Sequence, residues 1–332
     1  MGYGDDMMAL GEMMELLKDL KKENSMVAVG GKYYESPIYL HHPLLLPPDE
    51  RVIAKYKSSG IGVIHFNWNK RKRHGNFYMK KGFKDVAKNL RIISTQEYKP
   101  KIADIYFRDE EIERGNSILK SNKIKKFIFI QPLIKDGSRI NKNWGRKNYK
   151  KLISMLSKDY KLVSCRPKGS PPIDMPGLLE IETENIRDAI VIMSKASAFV
   201  GNEGAMHHAA ASLNIPGCVI FGHFISPNST GYEIHKNYFF DDGTEENKYG
   251  CGIWGRECET CSFAMNSFTP KMVYSDLMKI LSKKPPKKRI FINPDNNYGY
   301  MTEKTYGKIW LSRKYRLAAK KNKEFKKKKK KK

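Results

Sequence analysis

Residues 198–222 read AFVGNEGAMHHAAASLNIPGCVIFG, and their pattern decides the fold. The run 198–200 and the run 218–221 are short and continuously apolar, which is typical of strands buried on both faces. Residues 204–213 between them are rich in alanine and have the length of a helix. A buried strand, a helix and a second buried strand predict a parallel βαβ unit with two glycines in its strand-to-helix turn.

The same alternation precedes this unit along the chain. Phe127-Ile128-Phe129-Ile130 and Leu162-Val163 read as further buried strands. Apolar residues at helical spacing follow each strand, and these are Tyr149, Leu152, Ile153 and Leu156 in one case and Ile186, Ala189, Ile190 and Met193 in the other. We therefore expect an α/β protein whose second half is a doubly wound parallel sheet.

The first 120 residues are less regular, and the length of 332 residues favours two domains. The runs 26–29 and 63–66 read as strands, and Met7, Leu10, Met14 and Leu17 give one helix face. Thr269-Pro270 is typical of a helix start, and Pro285-Pro286 ends that helix. We expect an N-terminal α/β domain over 1–122, a nucleotide-sugar-binding domain over 123–284 and a basic extension over 285–332.

Composition and charge exclude several classes of protein to which this chain could belong. A hydrophobic content of 40% supports sizeable cores and excludes a disordered chain. No apolar run approaches the roughly 20 residues of a membrane span, and the acids Asp5 and Asp6 are the reverse of a secretory signal, so we expect a cytoplasmic protein. Of the net charge of +27, residues 301–332 hold 15 Lys or Arg against Glu303 and Glu324. A basic tail of this kind argues against nucleic acid as a binding partner. It favours binding to an anionic membrane surface, or else a solvated segment that has no partner.

Three loops are candidates for ligand binding, and the first is Gly2-Tyr3-Gly4-Asp5-Asp6. We expect it immediately before a helix that begins at Met7. Glycines let the backbone approach a ligand, and the amides at a helix start favour anions. Each aspartate is read equally well as a helix N-terminal cap.

The second loop is Gly201-Asn202-Glu203-Gly204-Ala205-Met206-His207-His208, at the start of the alanine-rich helix. Its small residues let the helix pack close to the sheet, with an N-terminus that suits a pyrophosphate. We expect His208 to be a core or surface histidine. For His207 a structural and a functional role are equally open.

The third loop is Asn141-Lys142-Asn143-Trp144, between the strand at 127–130 and a helix expected from 149. A lysine in a strand-to-helix loop can place a point charge on a phosphate. A neighbouring tryptophan can form the wall of a pocket. Taken alone, one lysine in a lysine-rich chain is weak evidence.

The order and spacing of these three loops resemble the heptosyltransferase-type glycosyltransferases, glycosyltransferase family 9. The resemblance covers residues 1–12 and 125–280. Gly4-Asp5 match the G-x-G-D loop of that family, and Lys142 with Trp144 match its K-x-W element. The family's D-[ST]-G-x-x-H-x-A-A-A run, with the strand and proline that follow, matches Asn202 to Ala211, Phe221-Gly222 and Pro227. The resemblance implies two Rossmann-like domains that face each other across a cleft, the GT-B type.

The resemblance also implies inverting transfer of a sugar from a nucleotide-sugar, without a cofactor or a catalytic metal. Asp5 would be the general base that takes the proton of the acceptor hydroxyl. Lys142 and the helix amides would stabilise the departing diphosphate. The other donor-binding residues would be Gly4, Trp144, Glu182, Asn202, Glu203, Gly204, Ala205, Met206, His207 and Gly222. The favoured donor is an ADP-sugar, with heptose among the candidates, and the acceptor is a cell-surface glycan or glycolipid, as in lipopolysaccharide biosynthesis.

The chain departs from the family pattern at two places. Asn202-Glu203 replace an Asp followed by a small hydroxyl residue, so this loop is expected to contact its nucleotide differently. The chain also begins at the first glycine loop without the strand that precedes it in the family. A truncated N-terminus or a sheet built without that strand would account for this. Glu182 and Glu184, expected in the loop before the helix at 186, are read as acceptors for the nucleotide ribose or base, or as helix-start acids.

Five cysteines are expected to be reduced. Cys251, Cys258 and Cys261 offer three thiolate ligands, with His235 as a conceivable fourth. Structural zinc usually has two paired half-sites, and only Cys258-x-x-Cys261 forms one. Reduced loop cysteines are therefore the main expectation, and a structural metal is the alternative.

A glycosyltransferase, cytoplasmic or held at the inner membrane by its basic tail, is the leading hypothesis. A nucleotide-sugar epimerase of the same fold is one alternative and would need further acid and base groups in the cleft. A non-catalytic nucleotide- or glycan-binding protein is another, and Asn202-Glu203 would then reflect lost catalysis.

Overall fold

The structure is a computed structural model that describes residues 2–19, 25–29, 36–46, 50–66, 100–132, 140–241, 243, 250–252 and 257–293. The aperiodic stretch 67–99 and the basic residues from 301 onward lie outside these residues. So does the side chain of Leu17, which we had placed on the first helix face.

The second half contains a six-stranded parallel sheet with the strand order β10-β9-β8-β5-β6-β7. Its strands are β5 Phe127–Gln131, β6 Lys161–Pro167, β7 Leu179–Thr183, β8 Ala198–Asn202, β9 Gly217–Gly222 and β10 His235–Phe239. The four apolar runs that we read as strands are β5, β6, β8 and β9. These strands occupy the middle of the sheet, where helices on both faces cover them, and their apolar composition follows from that burial.

Helices pack on both faces of this sheet. They are α4 Arg146–Leu156, α5 Ile186–Met193, α6 Ala205–Ser212, the short α7 Pro227–Thr230, α8 Glu259–Ser267 and α9 Pro270–Leu281. Capping side chains start three of them, and these are Asn185 at α5, Ser226 at α7 and Thr269 at α9. The Asn185 side chain accepts from the Asp188 amide at 3.0 Å, and the Thr269 hydroxyl accepts from the Met272 amide at 3.3 Å, as predicted for the Thr-Pro start.

The first half contains a three-stranded parallel sheet, β2-β1-β3, among the described residues. The helices and strands of this half are α1 Tyr3–Asp19, β1 Ser25–Val29, β2 Leu45–Leu46, α2 Glu50–Ser58, β3 Gly62–Phe66, β4 Tyr106–Phe107 and α3 Asp109–Ser121. The runs read as strands at 26–29 and 63–66 are confirmed. The expected start of α1 at Met7 is wrong, since the helix already begins at Tyr3 and takes Gly4, Asp5 and Asp6 into its first turn.

The segment that follows α9 returns to the first half. β11 Phe291–Ile292 pairs in parallel with β4 Tyr106–Phe107. Arg289 forms an ion pair with Asp104, and the Asn293 side-chain amide donates to the carbonyl oxygen of His41 at 2.8 Å. Residues 287–293 are therefore part of the folded structure, although we had assigned them to a basic extension.

One continuous core joins the two halves. It runs from Leu10 and Val27 in the first half to Phe129 and Phe199 in the second. α1 packs against α6, and a Cβ at Gly4 would lie 3.4 Å from the Ala205 Cα. The starts of these two helices therefore meet, which brings the first and second candidate loops together. Within the described residues, no helix is both long and apolar enough to cross a membrane.

Candidate functional site

The candidate site lies where the strand order of the large sheet reverses. From β5 the chain builds β6 and β7 on one side, and it then crosses back to build β8, β9 and β10 on the other. Ligands of doubly wound sheets bind at this point, beyond the carboxyl ends of the two central strands. The third candidate loop follows β5 and the second follows β8, so the topology places both at the switch point.

Lys142 and Glu203 form a buried ion pair there. Lys142 ends a 3₁₀ turn over Ile140–Lys142, and Glu203 follows the last residue of β8. The Lys142 Nζ is bonded to Oε2 of Glu203, with 3% and 6% of the two side chains exposed. The same Nζ lies 4.8 Å from the ring centroid of Phe224, a residue that our sequence analysis did not select. The predicted phosphate lysine is thus held by a carboxylate of the chain itself.

Asn202 and Trp144 fix the geometry of this pair. The Asn202 Oδ1 accepts from the main-chain amide of Trp144 at 3.3 Å. The Trp144 indole Nε1 donates to the carbonyl oxygen of Phe268 at 2.7 Å, and its ring meets Tyr149 edge to face. With 2% exposure, Trp144 packs in the core beneath the loop. The loop after β5 is therefore tied directly to the end of β8.

His207 is bonded to the main chain through both ring nitrogens. The Gly204 amide donates to Nδ1 at 2.9 Å, and Nε2 lies 2.7 Å from the carbonyl oxygen of Thr230. Nδ1 also lies 2.7 Å from the Gly204 carbonyl oxygen, so the contacts fit either neutral tautomer. Burial lowers the pKa of His207, which favours the neutral ring. His207 therefore has the structural role of joining the start of α6 to α7.

His208 faces the first turn of α1. Its Nδ1 is hydrogen-bonded to the Tyr232 hydroxyl at 2.8 Å, and burial lowers its pKa well below the usual value. A Cβ at Gly4 would lie 2.8 Å from the His208 Cδ2, so only glycine allows α1 to approach this closely. His208 is a core histidine, as expected. Tyr232 was not selected in the sequence because nothing local marks it as a partner of α6.

The first turn of α1 carries the two aspartates. Asp5 is partly exposed, and its Oδ2 accepts from the Gly2 amide at 3.0 Å. Asp6 is buried, and its Oδ2 accepts from the Ser36 hydroxyl at 2.7 Å. Two acids at a helix N-terminus suit the positive end of the helix dipole. Asp5 thus lies next to Gly4, on the turn that meets the start of α6.

Gly222 ends β9 beside the same site, with φ of 68°. A Cβ there would lie 2.4 Å from the Met265 side chain and 3.5 Å from the main-chain oxygen of Asn141. The Asn141 side chain in turn accepts from the Cys258 amide at 3.0 Å. The loop of Lys142 is therefore packed between the end of β9 and the cysteine-bearing segment.

Among the residues that the structure describes, two groups of side chains have metal-ligand composition. In the first, the Sγ atoms of Cys251, Cys258 and Cys261 lie within 4.8 Å of one another, and the group does not include His235. Three thiols supply less than the four ligands of a usual zinc site. The second is Glu203, His207 and His208. A cation bound there would meet the Lys142 ammonium, which already neutralises Glu203.

Glu182 lies apart from the residues assembled at the switch point. It belongs to β7, the outer strand beside β6, and its side chain pairs with Arg166 at 2.6 Å. The expectation that Glu182 lies in a loop is therefore wrong. Alternation in Leu179-Glu180-Ile181-Glu182-Thr183 is the signal of a half-exposed strand and would have located it. Glu184, just beyond the strand, pairs with Lys168 at 2.6 Å.

Comparison with known proteins gives structural matches only. No protein-family model and no curated protein matches the sequence. A structure of the glycosyl transferase family 9 protein from Veillonella parvula DSM 2008 is 12% identical, with a TM-score of 0.54 over 85% of this chain and 94% of that chain. The ADP-heptose lps heptosyltransferase II of E. coli is 16% identical, with a TM-score of 0.42 over 82% and 81%. The E. coli heptosyltransferase WaaC with ADP is 11% identical, with a TM-score of 0.45 over 84% and 97%.

The Veillonella match shows that the chain shares the fold of that family 9 protein. The fold is α/β with two Rossmann-like halves of the GT-B type. The resemblance to heptosyltransferase-type glycosyltransferases drawn from Gly4-Asp5, Lys142 and residues 202–211 is thereby confirmed for the fold.

Proposed function

We propose that the protein is an inverting glycosyltransferase that moves a sugar from a nucleotide-sugar to a hydroxyl of a glycan or glycolipid. The observation that carries this proposal is that the three candidate segments meet at the switch point. Lys142 follows β5, Glu203 to His207 start α6, and Gly4 with Asp5 lie in the turn of α1 against that start.

Each group has a role in the proposed reaction. Asp5 takes the proton of the acceptor hydroxyl while its oxygen attacks the anomeric carbon. The bond from that carbon to the donor diphosphate breaks, and negative charge grows on the departing phosphate. Lys142 and the first amides of α6 are the groups available to stabilise this charge. We expect an ADP-sugar donor because the sequence resembles the heptosyltransferase type.

The acceptor and the cellular location belong to the same proposal. A glycolipid acceptor would be reached at the inner membrane surface. The 15 Lys or Arg of residues 301–332 would hold the protein there, since a basic side chain near an anionic leaflet contributes about 1 kcal/mol.

A donor assay tests the proposal. Purified protein is mixed with ADP-heptose and other nucleotide-sugars plus a lipopolysaccharide-derived acceptor, and released nucleoside diphosphate is measured. We expect release that depends on the acceptor. Calorimetry with ADP should show binding weakened by about 10- to 100-fold in Lys142→Ala, since a charge-assisted contact is worth roughly 1.5 to 3 kcal/mol. Unchanged ADP affinity in this variant would remove Lys142 from the donor site.

A non-catalytic binding protein is the second candidate. The observation that favours it is the pairing of Lys142 with Glu203, which neutralises the proposed phosphate ligand. ADP binding without turnover of any nucleotide-sugar in the same assay would support this candidate.

A further inference from the structure

The ion pair between Lys142 and Glu203 lies where a doubly wound sheet binds its ligand. Both side chains are almost fully buried. Glu203 directly follows β8, and Lys142 lies in the 3₁₀ turn of the segment that follows β5. Burying two charges costs several kcal/mol each, so a pair of this kind stabilises the fold weakly or not at all. Its place in the topology points to a different role.

The surroundings of Glu203 are those of an anion site. Lys142 supplies a buried positive charge. Gly204 is the N-cap of α6, so the carboxylate belongs to the residue directly before a helix start, where negative charge is favoured. Asn202 and Trp144 hold the two loops in this arrangement through their hydrogen bond. The Glu203 carboxylate therefore gives Lys142 and the helix start the negatively charged partner that a phosphate group would also provide.

We propose that the Glu203 carboxylate occupies the place beside Lys142 that a donor phosphate takes, and that it competes with the donor for this lysine. The inference rests on the proposed function. Donor binding then exchanges one anionic partner of Lys142 for another, and the Glu203 side chain must turn away. Glu203 thereby sets the donor affinity below the value that Lys142 would otherwise give.

Calorimetry on Glu203→Gln provides the test, with inorganic pyrophosphate and ADP as probes. The variant keeps the size of the side chain and removes the competing charge. We expect it to bind both probes at least tenfold more tightly than the wild-type protein. Asp188→Asn is the matched control, since it removes one buried carboxylate from another ion pair, with the exposed Arg114. We expect that control to bind both probes with wild-type affinity.

Two further variants keep the test decisive if Glu203→Gln folds poorly with its lysine unpaired. Glu203→Asp retains the charge but draws the carboxylate back by one methylene, and we expect tighter pyrophosphate binding than in the wild type. Lys142→Met/Glu203→Gln removes both charges, and we expect it to fold without any pyrophosphate-induced rise in Tm. In Glu203→Gln, by contrast, pyrophosphate should raise Tm more than in the wild type, because it refills the anion position.

The outcomes separate this inference from the proposed function. Unchanged or weaker ADP and pyrophosphate binding in Glu203→Gln and Glu203→Asp, with weaker binding in Lys142→Ala, would overturn the competition and leave the donor site in place. Tighter binding of both probes in Asp188→Asn as well would show that the effect comes from the change in net charge. That result would also overturn the competition. ADP and pyrophosphate binding that is absent from every variant and from the wild type would overturn both the inference and the proposed donor site.

Discussion

Arg187 of α5 and Glu111 of α3 form a buried bidentate ion pair, with Nε 2.6 Å from Oε1 and Nη2 2.7 Å from Oε2. The same guanidinium donates to the carbonyl oxygens of Pro37 and Tyr106. Burial would raise the pKa of Glu111, but the hydrogen bonds and charge of Arg187 outweigh it, and the pKa is lowered. One side chain of the second half thus holds three segments of the first.

We predict that Arg187→Met lowers the free energy of unfolding by about 3–5 kcal/mol, because it leaves Glu111 buried without its partner. Urea denaturation measures the change. Arg187→Met/Glu111→Leu, which removes both charges, should lose less than the sum of the two single variants. Lys279→Met breaks an exposed pair with Asp276 and serves as the control, with an expected loss of about 0–1 kcal/mol. A loss in Arg187→Met no larger than this would contradict the prediction.

The central strands could be predicted from the sequence, and the outer strands could not, for a physical reason. β5 and β8 are buried on both faces and read as continuous apolar runs. β7 and β10 lie at the two edges of the sheet and keep polar residues, such as Glu182 and Lys236, on their exposed faces. A short polar strand is hard to distinguish from a loop when its neighbours are unknown.

Most residues of the candidate site could be selected from the sequence, but Glu182 lies apart from it, and the contacts between its residues could not be predicted. Spacing and resemblance select Lys142 and residues 202–207, and the topology brings them together. The bond between Lys142 and Glu203 joins residues far apart in the sequence, so no local pattern reveals it. The start of α1 was misplaced because glycine disfavours helix interiors, whereas packing against His208 requires a glycine at position 4.

A second prediction concerns Asp5 as the general base. Asp5→Asn keeps the size of the side chain at the helix start but removes its basicity. We expect kcat to fall by about 10² to 10⁴, with ADP affinity unchanged. Steady-state kinetics and calorimetry measure the two quantities. Asp6→Asn is the control: it should affect stability through the Ser36 hydrogen bond and leave kcat near wild type. Wild-type turnover in Asp5→Asn would instead point to another base.

A third prediction follows from the buried histidines. Burial lowers the pKa of His42 and His235 to about 3 and that of His41 to about 4. At a pH between these pKa values and 6.5, the three histidines bind protons in the unfolded chain but not in the folded protein. Stability is therefore full above pH 6.5 and falls as the pH decreases, by about 1.4 kcal/mol per pH unit for each such histidine.

The variant His235→Gln checks this assignment. Its amide can replace the Nε2 donor that faces the Ile215 carbonyl oxygen at 3.2 Å. We expect the slope of unfolding free energy against pH, measured by urea denaturation between pH 4.5 and 6, to decrease by about 1.4 kcal/mol per pH unit. An identical slope in the variant and the wild type would show that His235 titrates normally in the folded protein.

A fourth prediction separates the folded part of the C-terminal segment from its basic end. Truncation after Lys284 removes β11, the Arg289–Asp104 pair and the bond from the Lys288 Nζ to the Ser194 carbonyl oxygen. We expect a clear loss of stability, with a lower Tm in thermal unfolding. Truncation after Asn293 keeps these contacts and should unfold at the wild-type Tm. Equal Tm values for the two truncations would mean that β11 does not stabilise the fold.

Membrane attachment should depend on the residues that the second truncation removes. These include the 15 Lys or Arg of residues 301–332. Since each basic side chain near an anionic surface contributes about 1 kcal/mol, the full-length protein should co-sediment with phosphatidylglycerol vesicles and be released by salt. The protein truncated after Asn293 should stay in solution and keep its activity on a soluble acceptor analogue, because Asp5 and Lys142 are untouched. Equal sedimentation of both proteins would assign the attachment to the folded part of the chain.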